Sequence, residues 1–329
     1  MPENEQTKEQ IHALASHGFE WRPELEPLRK SVTDLSSTID LPTLAKQAEL
    51  AEREGTICIT LLSEEYLEVG AYWLHAMQRL NLKNVLVIAG DDATQRALAA
   101  QGIAVVRAYL EKDSLGESFR NIAGFSWKGL GLTTLKLPVA RFLLGQGYDL
   151  VVSDADALWL QNPFPHFHGI ADLAFQRVAY FPAPIARLWG FAACTGFFYC
   201  RAKPATAQFL DYCLTQARGV QDDQLAMNLA LLQADAEWPH VHEIRRPLAQ
   251  EGSLPPNIQS SFKLLARRPL HGMINHLGLQ LLALPHHQFW RHDEIAASLS
   301  EMVVCHPNSP KAASEKINVF NALGIQPRQ

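Results

Sequence analysis

The chain has 329 residues, of which 47% are hydrophobic and 19% charged, so it is long and apolar enough to bury a large core. Its 29 Lys and Arg residues against 34 Asp and Glu residues give a formal net charge of −5. The sequence has no basic stripe, which argues against a nucleic-acid partner. Five scattered cysteines without a CxxC pair argue against a zinc ribbon and predict buried, reduced thiols. The polar N-terminus and the lack of an apolar run of ~20 residues predict a cytoplasmic protein with no transmembrane segment.

Residues 1–54 predict a helical N-terminal extension, and residues 55–329 predict a single domain. The first part of this domain alternates between short apolar runs and amphipathic segments. Its predicted elements are strand 55–62, helix 64–81, strand 84–92, helix 93–102 and strand 103–110. Strands and helices that alternate at this spacing form parallel sheets with right-handed crossovers. The predicted fold class is therefore α/β, with a mainly parallel central sheet flanked by helices.

The second part of the chain continues this pattern after residues 111–127, which are predicted to be irregular. Pro138 lies in the next helix, where we expect it to bend the helix or to start a new one. Asp222 and Asp223 precede a later helix, and either side chain could cap it. The predicted elements are helix 132–147, strand 148–160, strands 171–178 and 195–201, helices 204–219 and 223–233, strand 301–310 and a final helix from about Ala312.

Residues 148–160 are predicted to be a strand and its exit, and two carboxylates, Asp154 and Asp156, lie where the strand ends. Residues i and i+2 of an extended segment point the same way, so both side chains can reach one divalent cation. This end of a parallel sheet forms the ligand crevice, and oxygen ligands favour Mg²⁺ or Mn²⁺, whose other ligands are commonly phosphate oxygens. The alternative is a turn with two solvated aspartates, but the apolar run "ALWL" (157–160) follows at once.

The segment "GYDLVVSDADALWLQNPFP" (147–165) resembles the Asp-x-Asp segment of the nucleotide-diphospho-sugar transferases, specifically glycosyltransferase family 77. Further segments are similar to that family in the same order: "TLLSEEYLEVGAYWLHAMQRLNLKNVLVIAGDD" (60–92), "LTTLKLPVARFLLGQGYD" (132–149), "CTGFFYCRAKPATAQFL" (194–210), "DDQLAMN" (222–228) and "VVCHPN" (303–308). The resemblance spans roughly residues 55–320. It implies a GT-A type fold, with a Rossmann-like nucleotide-binding half (55–165) joined to an acceptor half and C-terminal elaboration (166–329). It also implies retention of configuration at the anomeric carbon.

The resemblance implies that His306 is the third metal ligand beside Asp154 and Asp156, through a neutral ring nitrogen. A histidine ligand shifts the expected ion from Mg²⁺ toward Mn²⁺, while an ordinary strand-end histidine is the alternative. The ion would neutralise the diphosphate of a nucleotide-sugar donor, and a UDP-sugar is the expected donor. A glycan, a lipid-linked saccharide, a protein or a small molecule could each be the acceptor.

The other residues expected to bind the donor are Thr60, Leu61, Lys136, Ala155, Thr195, Gly196 and Lys316. Thr60 and Leu61 close the first strand, where backbone groups could hold the base and ribose. Lys136 and Lys316 are candidate cations for the leaving diphosphate, with a solvated surface lysine as the alternative for each.

Asp223 and Gln224 are expected near the donor sugar and are the candidate catalytic residues. Asp223 could act as the nucleophile of a double displacement, whereas a front-face reaction needs no such carboxylate. Trp159 and Trp189 could stack on a sugar or base, although core packing is the favoured role of Trp159.

Two features depart from the family pattern. Cys194 stands where the family has Asn before Thr-Gly, and a thiol cannot replace the hydrogen bonds of an amide. His306 is followed by "PNSPKAASEK" (307–316) instead of a Gly-containing loop. This difference weakens the expectation, taken from the resemblance, that the loop contacts the donor phosphates. Cys194 leaves open the alternative of a non-catalytic nucleotide-sugar-binding protein. A second alternative is a Mg²⁺-dependent phosphohydrolase of the haloacid-dehalogenase type, because such enzymes also begin with an apolar strand and Asp-x-Asp.

Overall fold

The computed structural model of the protein describes residues 2–110, 127–241, 265–291, 298–307 and 312–325. The helices are α1 (Pro2–Ser16), α2 (Glu26–Thr33), α3 (Leu41–Ala51), α4 (Leu67–Arg79), α5 (Asp92–Ala99), α6 (Trp127–Gly145), α7 (Ala183–Trp189), α8 (Pro204–Ala217), α9 (Asp223–Gln233) and α10 (Ala313–Ala322). The strands are β1 (Thr56–Leu62), β2 (Val85–Ala89), β3 (Ala104–Arg107), β4 (Asp149–Ser153), β5 (Leu158–Trp159), β6 (Leu173–Val178), β7 (Ala192–Cys200), β8 (Leu270–Ile274), β9 (Leu279–Ala283), β10 (Phe289–Trp290) and β11 (Val304–Cys305).

The central sheet has eight strands in the order β3-β2-β1-β4-β7-β6-β9-β8. The pairs β2/β3, β1/β2, β1/β4 and β6/β9 are parallel, whereas β4/β7, β6/β7 and β8/β9 are antiparallel. Strands β1, β2 and β4 are almost entirely buried, as expected for parallel strands covered by helices on both faces. The predicted α/β class with a mainly parallel central sheet is confirmed.

A second, smaller sheet has the strand order β10-β11-β5. Its central strand β11 is parallel to β10 and antiparallel to β5. Strand β5 comes directly after the Asp-x-Asp segment, so this sheet brings chain from residues 289–305 back to that segment. Its strands are two residues long, which is too short for hydrophobic periodicity to reveal.

Three features differ from the predicted elements or add to them. Pro138 does not start a new helix, because α6 runs from Trp127 through Pro138 to Gly145. Burial of Leu135, Leu137 and Val139 holds this helix together despite the backbone hydrogen bond that proline cannot donate. Strands β8, β9 and β10 were not predicted, and the strand predicted over 301–310 is only Val304–Cys305. Residues 111–126 and 308–311 lie outside the described residues.

The helices before β1 contribute to the core of the central sheet. Val32, Ile39, Leu44 and Ala48 belong to the same buried cluster as Ile57 of β1. The domain boundary at residue 54, and the division of the remainder into two halves, stay predictions. All five cysteines are buried and free, as predicted. Within the described part of the chain, no helix combines the length and apolarity needed to cross a membrane.

Candidate metal centre

The Asp-x-Asp segment leaves β4 as a tight turn rather than as extended chain. The turn is closed by a hydrogen bond of 3.0 Å from the Ala157 amide to the Asp154 carbonyl. Beneath it, the Ser153 hydroxyl accepts hydrogen bonds of 3.1 Å from the indoles of Trp73 and Trp159. Because Trp159 is fully buried and packed in this way, it is a core residue and does not stack on a ligand.

The two carboxylates converge on His306 in spite of the turn. Ligand atoms of Asp154, Asp156 and His306 all lie within 4.8 Å of one another. The His306 Nε2 atom is 3.3 Å from Asp156 Oδ1 and 3.9 Å from Asp154 Oδ2. Two carboxylates and one imidazole at this spacing can hold a divalent metal ion.

The small sheet explains how His306 reaches a site 150 residues earlier in the chain. Leu158 of β5 pairs with Cys305 of β11 in antiparallel register. Asp156 precedes this pair on one strand and His306 follows it on the other, so both side chains lie at the same end of the ladder.

A buried amide, Gln176, orients the His306 ring. Its Nε2 donates to the carbonyl oxygens of Phe289 and Trp290, at 3.1 and 3.0 Å, so its Oε1 must be the atom 2.9 Å from His306 Nδ1. The hydrogen of the neutral ring therefore lies on Nδ1, which leaves the Nε2 lone pair free for a metal ion. Burial and the Arg291 guanidinium lower the pKa of His306 to about 4 against the opposing effect of Asp156, so the ring is neutral at pH 7.

Gly196 leaves the space that His306 and Asp154 occupy. A Cβ at this position would lie 2.1 Å from His306 Cε1 and 2.8 Å from Asp154 Oδ2, so any other residue would displace both ligands. The backbone is fixed by a 2.7 Å hydrogen bond from the Asp154 amide to the Gly196 carbonyl.

A β-bulge lies at the Thr-Gly motif. The β6/β7 register shifts between Phe175, which pairs with Phe198, and Gln176, which pairs with Cys194. The bulge therefore places Thr195 and Gly196 opposite no residue of β6, and it lies beside Gln176, whose side chain reaches His306.

Both predicted lysines are buried at the site, so neither is a solvated surface lysine. Lys136 Nζ lies 2.6 Å from Asp154 Oδ1 and 3.1 Å from Asp223 Oδ2. These two acids outweigh the burial that would lower the pKa of Lys136, and they raise it. Lys316 Nζ lies 2.8 Å from Asp156 Oδ2 and donates to the Pro307 carbonyl. Lys316 and His306 outweigh the effect of burial on Asp156, whose pKa stays well below its usual range.

The acidic pair before α9 divides its roles. Asp222 is the N-cap, since its Oδ1 accepts from the Leu225 amide at 2.6 Å. Asp223 is thereby free to face Lys136. The neighbouring Gln224 donates from its side-chain amide to the Phe181 carbonyl at 2.8 Å, which ties it to the chain before α7.

The remaining predicted residues lie at the same end of the sheet, where strands β1 and β4 finish. Ile59 of β1 pairs with Val152 of β4, so Thr60 and Leu61 stand beside Ser153 and Asp154. Thr60 is fully buried, and within the described chain its hydroxyl has no hydrogen-bond partner. Ala155 and Thr195 are buried too, at 5% and 2% exposure. Thr60, Ala155 and Thr195 therefore expose little side-chain surface.

Three residues of the site were not predicted from the sequence: Gln176, Arg291 and Tyr66. Gln176 lies at the bulge of β6 and Arg291 directly follows the two-residue strand β10, and neither feature leaves a periodic signal. Tyr66 lies in the corner after β1, and burial together with the nearby Asp156 and Asp154 raises the pKa of its phenol. Trp189, the other suggested stacking residue, is only 6% exposed and packs on Phe191 and Trp238.

A family model described as nucleotide-diphospho-sugar transferase matches residues 80–320, which include every metal-ligand candidate. The chain belongs to this family. This family is glycosyltransferase family 77, whose fold is of the GT-A type. Family membership favours the transferase interpretation of the Asp-x-Asp segment over the phosphohydrolase alternative.

Among its relatives, arabinosyltransferase RRA2 of Arabidopsis thaliana is 26% identical over 209 residues, which cover 57% of this chain and 46% of the relative. Beta-arabinofuranosyltransferase RAY1 of Arabidopsis thaliana is 27% identical over 217 residues, covering 64% of this chain and 39% of the relative. The chain thus matches less than half the length of these curated relatives. A crystal structure of mouse xyloside xylosyltransferase 1 in its apo form has 11% identity and a TM-score of 0.36, covering 54% of this chain and 82% of that one.

Proposed function

We propose that the protein is a metal-dependent retaining glycosyltransferase that moves a sugar from a nucleotide-diphosphate donor, a UDP-sugar, to an acceptor hydroxyl. The observation that carries this proposal is the convergence of Asp154, Asp156 and His306, with the His306 ring held in the tautomer that a metal ion requires.

Asp154, Asp156 and His306 would hold the ion, and the mixed oxygen and nitrogen donors favour Mn²⁺ over Mg²⁺. When bound, such an ion neutralises the donor diphosphate and the leaving nucleotide. Gly196 supports the fit, since a side chain there would fill the space of two ligands.

The charges of the site favour a diphosphate ligand. Among the described residues of the centre, the three acids Asp154, Asp156 and Asp223 are matched by Lys136, Lys316 and Arg291. A divalent cation would add a positive excess to this balanced set. A diphosphate would offset that excess, whereas a neutral ligand would leave it uncompensated.

Asp223 is the residue we assign to the donor sugar, with Gln224 beside it. The contact with Lys136 holds Asp223 at the edge of the metal centre. A carboxylate in this place can bind sugar hydroxyls, or attack the anomeric carbon in a double displacement. Thr60, Leu61 and Tyr66, at the neighbouring strand end, would hold the base and ribose.

Relatives of the chain are named arabinosyltransferases and a UDP-D-xylose:L-fucose alpha-1,3-D-xylosyltransferase. UDP-pentoses are therefore the donors to test first, and a saccharide is the first acceptor class to test. The cytoplasmic location stays a prediction from the sequence.

The test is thermal stabilisation by UDP-sugars with and without Mn²⁺. A ligand at 100 times its Kd stabilises the folded state by about 2.7 kcal/mol. We expect this gain for the wild type only when Mn²⁺ is present, and none for Asp156→Asn. The exposed Asp235, which pairs with Lys8, provides the control variant Asp235→Asn, which should behave as the wild type.

Equal stabilisation of the wild type and Asp156→Asn would refute the metal-dependent donor site. Stabilisation followed by neither transfer nor hydrolysis of the donor would instead identify a non-catalytic nucleotide-sugar-binding protein. Release of phosphate from phosphomonoesters that is abolished by Asp154→Asn would indicate the phosphohydrolase.

A further inference from the structure

Arg291 lies beside the metal centre, but among the described residues it forms no hydrogen bond or ion pair with Asp154 or Asp156. It follows β10 directly, and the His306 amide donates to the carbonyl of the preceding residue, Trp290, at 2.9 Å. This contact places Arg291 next to His306 in space. The Arg291 Nε atom donates to Cys194 Sγ at 3.2 Å, which holds one edge of the guanidinium against the bulge of β7.

The other edge of this guanidinium has an unused donor. Arg291 Nη1 is buried and has no hydrogen-bond partner among the described residues. A buried donor left without a partner costs about 1–3 kcal/mol, and more when the group is charged. Lys136 and Lys316 differ in this respect, because carboxylates within 2.8 Å already hold each amine. Among the described residues, Arg291 is therefore the cation of the centre that no carboxylate holds.

We propose that Arg291 is a further donor-binding residue, whose Nη1 group binds phosphoryl oxygens of the donor diphosphate, and that Cys194 is the residue that positions it. This inference rests on the proposed function. The planar guanidinium matches the oxygen spacing of a phosphate and keeps its protons at all working pH values. It therefore transfers no proton, and it stabilises the negative charge that grows on the leaving diphosphate as the sugar–oxygen bond breaks.

The proposal also gives a role to Cys194, which stands where the family pattern has asparagine. A thiol sulfur accepts hydrogen bonds weakly and offers little competition for the guanidinium. Cys194 Sγ accepts from Arg291 Nε and, at 3.4 Å, from the Gly196 amide. The substitution that favoured a non-catalytic protein thus orients a cation toward the site, and Arg291 supplies the donor groups that Cys194 lacks.

The test is calorimetric binding of UDP and of uridine in the presence of Mn²⁺. We expect Arg291→Gln to bind UDP about 10- to 100-fold more weakly than the wild type, the loss of one or two charge-assisted hydrogen bonds. Affinity for Mn²⁺ alone and for uridine should stay the same, because neither carries a phosphate. Arg291→Lys should fall between the two. Arg267→Gln, which changes an exposed arginine paired with Glu301, is the control and should match the wild type.

Cys194 variants separate positioning from packing. Cys194→Ser keeps an acceptor for Arg291 Nε and should bind UDP nearly as the wild type does, whereas Cys194→Ala should bind it more weakly with unchanged affinity for uridine. If Arg291→Gln fails to fold, Arg291→Lys carries the test. Unchanged UDP affinity in the Arg291 variants would overturn this inference alone. Failure of the wild type to bind UDP or any UDP-sugar with Mn²⁺ would overturn the proposed function as well.

Discussion

Gln176 and His306 form a pair in which the amide determines what the imidazole can do. The amide nitrogen of Gln176 is held by two backbone carbonyls, so only its oxygen is available to the ring, at 2.9 Å from Nδ1. His306 thus has one ring nitrogen committed to the protein and one directed at Asp156. Because both side chains are at most 2% exposed, solvent does not compete for these bonds.

Replacing Gln176 by leucine should weaken Mn²⁺ binding by about 10- to 100-fold. The His306 ring would lose the hydrogen bond that fixes its orientation and its tautomer for metal binding. Titration of metal-free protein with Mn²⁺ measures the change. Asn84→Leu is the matched control. Asn84 is also buried and donates to a strand carbonyl, but it lies where β1 and β2 begin, at the opposite end of these strands from the metal centre. Equal Mn²⁺ affinity in the wild type and Gln176→Leu would show that the pair does not orient a metal ligand.

Gly196→Ala should abolish Mn²⁺ binding, since its Cβ would lie 2.1 Å from His306 Cε1 and force the ring away. Overpacking should also lower the free energy of unfolding by about 1–3 kcal/mol. Gly272→Ala separates these effects: its Cβ would lie 2.6 Å from the Trp238 ring, far from the acids. That control should lose stability and keep its affinity for Mn²⁺. Normal Mn²⁺ binding by Gly196→Ala would contradict the assigned geometry.

Stability of the metal-free protein should depend on pH through His306. Its pKa in the folded state is about 4, below its ordinary value of 6.5, so unfolding takes up a proton between these values. The stabilising contribution is full above pH 6.5 and is lost as the pH falls toward 4, by up to about 3 kcal/mol.

Urea unfolding with a chelator present, at pH 7 and pH 4, would measure this loss. The wild type should lose more stability than His306→Asn, which has no group that titrates there. Identical pH dependence of the two proteins would contradict the buried, neutral state of the ring. The exposed residue His168 provides the control His168→Asn, which should follow the wild type.

The neighbours Asp222 and Asp223 should respond in opposite ways to substitution. Asp222→Ala removes the cap of α9 and should cost about 1 kcal/mol of stability, with little effect on donor turnover. Asp223→Asn keeps the cap and should lower donor turnover by about 100-fold, as expected for a group that acts on the reacting sugar. Denaturant unfolding and a UDP-release assay measure the two effects. Full turnover by Asp223→Asn would exclude it as a catalytic residue.

Much of the candidate site could be predicted because its signals are contiguous. The Asp-x-Asp segment stands at the end of a long apolar strand, and Lys136 stands in an apolar helix, so each is visible in a short window. Gln176 and Arg291 have no such window. One owes its position to a bulge and the other to a strand of two residues, and neither feature has a periodicity that sequence can display.

The amino-acid sequence by itself determined the α/β class, the strand that ends in two acids, and the residue types able to hold a cation and a diphosphate. Local patterns suffice for these because burial and strand geometry act over a few residues. Only the tertiary structure decided which donors meet: Asp156 with His306 and Lys316, Lys136 with Asp223, and Arg291 with Cys194. These partners are about 90 to 160 residues apart, so no local preference brings them together. Pairing of β11 with β5 brings His306 to Asp156, pairing of β10 with β11 and the bulge between β6 and β7 place Arg291 and Cys194, and packing of α6 against α9 brings Lys136 to Asp223.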